Sequence, residues 1–167
     1  SAPIPTPPQF AEFLGGVVGA SPQNLDGSAR YAVDVSMDSK GCPYLSKFPP
    51  LLQAGVRRIR DMGLYHAPNS TYWRSTLAAA IANAAQGVGG STAAALERLD
   101  VGLSLPTKFA WEETPASLTE RFAAAQSDGV RHVHVFDYQF AQLPGVSPNM
   151  QQAWTQNLRD FIDGGSV

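Results

Sequence analysis

The stretch that most restricts the fold is Gly129-Val130-Arg131-His132-Val133-His134-Val135-Phe136-Asp137-Tyr138. It follows an apolar-periodic helix, opens at a glycine and alternates with period two, which is the pattern of a β-strand entered from a helix. Val133 and Val135 lie on one face. His132 and His134 lie on the other, with Phe136 and Tyr138 beyond them. Asp137 falls at the carboxyl end, where α/β sheets place their chemistry. A strand of this kind implies βα units, and the rest of the chain supplies them.

Tyr31 to Met37 reads as a first strand, with Val33, Val35 and Met37 on one face and Asp34, Ser36 and Asp38 on the other. A short helix spans Leu45 to Gln53, with Pro49-Pro50 near its start and Gly55 as its stop. Val56 to Asp61 is the second strand, and Arg58 and Arg60 share a face. Ser70 or Thr71 is expected to cap a long helix over Tyr72 to Gln86, and Ser91 or Thr92 a shorter one over Ala93 to Leu99. Val101 to Leu105 is the third strand. Thr114-Pro115 starts a helix that runs to Ser127. A last helix, about Asn149 to Ile162, is amphipathic through Met150, Trp154, Leu158, Phe161 and Ile162. The order β-α-β-α-α-β-α-β-α predicts an α/β domain with a parallel sheet and right-handed crossovers.

Residues 1–20 form a Pro-rich lead and a short helix stopped at Gly15-Gly16, and residues 21–167 form a single α/β domain. The chain is 44% hydrophobic and 16% charged, enough for one real core and too apolar for a disordered chain. A net charge of -2 and no long basic run argue against a nucleic-acid partner. No apolar run reaches the roughly 18–20 residues that span a bilayer. Cys42 is the only cysteine, so an internal disulfide framework is excluded. Asn69-Ser70-Thr71 is a formal glycosylation sequon. The start Ser1-Ala2-Pro3 suits a processed, secreted chain as well as a fragment.

The strand faces carry the functional argument. A doubly wound sheet is covered on both faces, so its strands read as nearly continuous apolar runs. Here Asp34, Ser36 and Asp38, then Arg58 and Arg60, then His132 and His134 form a polar stripe opposite an apolar one. A curved sheet with helices outside and a polar interior gives such a stripe, as near the active site of a (β/α) barrel. A complete barrel takes about 200 residues or more. The expectation is therefore a short or partial (β/α)-barrel, including one completed by a second copy or a partner chain. The alternative is an open three-layer sheet whose second face meets solvent or another subunit.

Asp34-Val35-Ser36, followed by Leu51-Leu52-Gln53-Ala54-Gly55-Val56-Arg57-Arg58-Ile59-Arg60-Asp61, resembles the opening βαβ unit of barrel glycoside hydrolases, nearest to the lysozyme-type muramidases. The likeness covers roughly residues 30–62 and, more loosely, 114–140. It implies a carbohydrate-active, glycoside-hydrolase-like domain, active or degenerate, with a polysaccharide as partner.

Glycosidic hydrolysis uses two carboxyl groups, one protonated and one ionised. Asp34 and Asp137 are the candidate pair, with Glu112 as an acid. Trp111 offers a platform for a sugar ring, and Asp38, Arg58, Arg60 and Tyr138 the further substrate contacts. The competing reading has these aspartates capping helices and pairing with Arg58 and Arg60. His132 and His134, side by side on one strand face, are candidate ligands for a divalent metal, with Asp34 or Asp38 as a third donor, and would make the chain a metal-dependent hydrolase. Otherwise they hydrogen-bond to the aspartates of the first strand, and no cofactor is needed. A third class is a non-catalytic binding or assembly subunit. Gly87-Val88-Gly89-Gly90 follows a helix and lacks a P-loop lysine, so it reads as a helix connection rather than a phosphate cradle.

Overall fold

The computed structural model of the protein describes residues 7–20, 32–37, 48–61, 64, 67, 69–103, 114–134 and 146–164. Among these described residues, six helices and four strands follow in the order α1 (Pro7–Gly19), β1 (Asp34–Met37), α2 (Phe48–Gln53), β2 (Arg58–Asp61), α3 (Ser70–Gly87), α4 (Thr92–Leu96), β3 (Leu99–Gly102), α5 (Pro115–Ser127), β4 (Val133–His134) and α6 (Pro148–Ile162). The strands form one sheet in the order β1-β2-β3-β4, every neighbouring pair parallel. The predicted α/β fold of βα units is therefore present. When each parallel strand is laid beside the previous one through a right-handed crossover, every crossover helix falls on the same face.

The register sorts the side chains accordingly. Ser36, Arg60 and Asp100 lie in one row across three strands, and Gly102 pairs with His134 one step along the same face. The opposite face carries Val35, Ile59, Leu99, Val101 and Val133, all of which join the hydrophobic core. Helices supply the rest of that core through Phe48, Leu51 and Leu52 of α2, Trp73 and Leu77 of α3, Leu118 and Phe122 of α5, and Met150 and Trp154 of α6. Phe122 and Phe161 meet edge to face, with centroids 6.1 Å apart, and tie α6 to α5.

Several boundaries differ from the sequence expectation, each for a physical reason. Helix α1 runs through Gly15-Gly16 and includes Pro7-Pro8. Proline is tolerated in a first turn, and a Cβ at Gly15 would make only ordinary contact with Ala54, at 3.8 Å. The cap of α3 is Asn69, whose Oδ1 accepts the Tyr72 N–H at 2.9 Å, so Ser70 and Thr71 enter the first turn instead. Helix α4 ends at Leu96, and β3 begins at Leu99 because that buried side chain pairs with Ile59. Asp100 thereby becomes a strand residue on the polar face. The Ser91 and Thr114 caps form as expected, the latter as a full capping box with Ser117. Gly55 and Gly129 stop α2 and α5 with φ of 92° and 74°, a conformation open to glycine.

Candidate functional site

The polar face of the sheet is the candidate site. Its centre is a chain of three side chains from three adjacent strands. Arg60 Nε donates to Asp100 Oδ2 at 3.0 Å, and Asp100 Oδ1 stands 3.0 Å from His134 Nδ1. The register creates this contact: Asp100 lies beside Arg60 on β2 and diagonally across from His134 on β4. The Arg60 side chain is 43% exposed, while Asp100 and His134 are each 14% exposed, so the network rises from a sheltered base to the surface.

Burial, and then the charge of Arg60, pushes the His134 imidazole down to about 4. The ring is therefore neutral at physiological pH. The tautomer with its proton on Nδ1 donates to the Asp100 carboxylate. Arg60 and Asp100 together hold that ring in place.

The other charged groups form separate contacts. Asp34 receives two hydrogen bonds from Arg57, from Nε at 2.9 Å and from Nη2 at 2.6 Å. This bidentate guanidinium holds the Asp34 carboxyl below its usual range despite some desolvation, helped by the more distant charges of Arg58 and Arg60. Arg131 and His132 both reach Glu97, at 3.1 Å and 3.4 Å.

The polar stripe predicted from Asp34, Ser36, Asp38, Arg58, Arg60, His132 and His134 is a real face across its described members, but its pairings are different. Asp34 opens β1 at its amino end, and its partner is Arg57 rather than Arg58 or Arg60. The described β1 starts three residues later than the predicted strand. His134 bonds to an aspartate of β3, not of β1. His132 and His134 turn to different carboxylates, and among the described residues no group of three or more metal-binding side chains assembles. Asp61 lies on the apolar face, in register with Val101, and is buried there. Asp38, Trp111, Glu112, Asp137 and Tyr138 lie outside the described residues.

Asp100 is the site residue that sequence reasoning missed. An aspartate flanked by Leu99 and Val101 fits the alternation of a strand, and that signal was present once β3 is started two residues earlier. A second missed feature lies behind the sheet. Arg121 is fully buried, with its guanidinium 5.7 Å from the centre of the Trp73 ring. Trp73 in turn donates Nε1–H to the Gly102 carbonyl at 3.2 Å. Arg121 occupies the same helical stripe as Leu118, Phe122 and Ala125, so its inward position was readable from spacing.

No family model, no curated protein and no solved structure matches this chain.

Proposed function

We propose that the chain is a non-catalytic binding domain that uses the polar face of its sheet to hold a hydroxyl-rich, glycan-class ligand. The observation that carries this reading is the Arg60–Asp100–His134 network. It fixes a cationic donor, a carboxylate acceptor and a neutral imidazole side by side on rigid strands. Planar groups of this kind exchange paired hydrogen bonds with neighbouring hydroxyls, and their mutual bonds fix their orientation before a ligand arrives. The resemblance of residues 30–62 to a muramidase opening unit favours the ligand class.

Binding is preferred to hydrolysis because of the carboxylates. A glycosidase needs one carboxyl that retains a proton near neutrality. Asp34 is held ionised by Arg57, and Asp100 is engaged by Arg60 and His134. A hydrolytic role would rest on Asp137 with Glu112.

The test is retention of the protein on a panel of immobilised polysaccharides, with parallel measurement of released reducing ends. At least one polysaccharide is expected to retain the protein. Asp100→Asn and Arg60→Gln should weaken that retention by about tenfold or more, the scale of one charged hydrogen bond. No reducing ends should appear. Retention that both variants leave intact would reject the site. Hydrolysis abolished by Asp137→Asn would replace binding with the glycoside-hydrolase reading.

A further inference from the structure

A second feature lies at the opposite end of the strands from where α/β enzymes place their chemistry. The amino ends of β2, β3 and β4 meet the last turn of α6 around an open cavity of about 340 Å³. This is at the small end of the range for small-molecule sites, roughly 300–1,000 Å³. Arg58, Asp100, Arg131 and His132 line it on the strand side, and Phe161 and Ile162 line it on the helix side.

The two walls differ in chemistry. Ile162 is 70% exposed although it continues the apolar stripe of α6, and it stands beside the half-buried Phe161. The strand wall is cationic. Asp100 is already engaged by Arg60 and His134, which leaves Arg58 and Arg131 as the charges that an incoming group would meet. Arg58 Nε is buried and has no hydrogen-bond partner among the described residues. A buried guanidinium N–H left without an acceptor is unfavourable, and a carboxylate oxygen would relieve it. Glu97 holds Arg131 and His132 from the rim, but Arg131 is 68% and Glu97 50% exposed, so this pairing is weak and displaceable.

We propose that this cavity binds a small organic carboxylate with an apolar body, its carboxylate on Arg58 and Arg131 and its body against Phe161 and Ile162. The site shares Asp100 and the polar face with the glycan reading but does not rest on it, because its ligand contacts are Arg58, Arg131, Phe161 and Ile162 and its ligand is an anion.

Benzoate is the probe, titrated by isothermal calorimetry and ligand-observed NMR, with benzamide as its uncharged counterpart. Saturable binding is expected in the low-millimolar range or tighter, and benzamide should bind at least about tenfold more weakly. Arg58→Gln should weaken benzoate binding by about tenfold, and Arg131→Gln, at an exposed position that folding tolerates, by about threefold. Glu97→Gln should strengthen it by several fold, because the competing carboxylate is removed. Equal binding of benzoate and benzamide would overturn the proposal. So would an unchanged affinity in both arginine variants, or no saturation up to about 50 mM benzoate.

Discussion

His134 stands 3.0 Å from a carboxylate, yet its pKa is lowered from 6.5 to about 4. Burial and the Arg60 charge outweigh the attraction of Asp100, whose own charge is shared with Arg60. This predicts a ring that stays neutral as pH falls through 6, with its NMR titration midpoint near 4. Arg60→Gln should move that midpoint upward, because one of the two depressing causes is removed while Asp100 remains. The same shift affects stability. Between about 6.5 and about 4 the unfolded chain takes the proton before the folded one, so stability declines as pH falls through that window. The loss should be on the order of 1–2 kcal/mol, discounted for the partial access of solvent to the ring. A His134→Gln variant should lack this component in chemical denaturation at pH 7 and pH 4.5. An unaltered pH dependence in that variant would contradict the assignment.

At the scale of elements, α2 and α3 approach closely at Gly87. A Cβ at Gly87 would stand 2.8 Å from the Pro49 Cα and 3.1 Å from the Leu52 Cβ. The first of these atoms is backbone and cannot swing aside. Gly87→Ala should therefore destabilise the protein by about 1–3 kcal/mol, the usual penalty for overpacking, even though alanine favours a helix interior. Ala82→Gly, at an exposed position in the same helix, should change stability by about 1 kcal/mol or less through propensity alone. Urea denaturation of the two variants separates packing from propensity. The Gly87 to Gly90 segment thus acts at both ends: Gly87 permits close helix approach, while Gly89 and Gly90 turn the chain with φ of 75° and 85°.

For the whole molecule, the layers are fastened by Trp73. Its ring lies in the core of α3, its Nε1–H reaches the backbone of β3, and the Arg121 guanidinium of α5 lies over it. Three elements far apart in sequence depend on this one side chain. Trp73→Phe keeps most of the apolar bulk but removes the donor to the buried Gly102 carbonyl and part of the platform under Arg121. A loss of about 2–4 kcal/mol is expected, combining an unsatisfied buried carbonyl with a smaller cation–π surface and a residual cavity. The measurement is the thermal midpoint with the near-ultraviolet circular dichroism of the folded state. A midpoint within about 1 °C of the original protein would show that the fastening is not there.

The sequence alone determined the alternation of helices and strands, the polar and apolar faces of those strands, and most helix stops and caps. These follow from local rules: side chains alternate along a strand, Gly129 can adopt positive φ, and Thr114 caps what Pro115 starts. Local rules also placed Arg58, Arg60, His132 and His134 on one face. Only the tertiary structure decided who meets whom. Pairing depends on register, and a shift of one residue between neighbouring strands exchanges every partner. The register set Asp100, rather than Asp34, between Arg60 and His134, and gave Asp34 to Arg57. The burial of Asp61 was likewise a tertiary decision, since it is a charged residue held inside by the packing of helices on the sheet, where composition would place it in water.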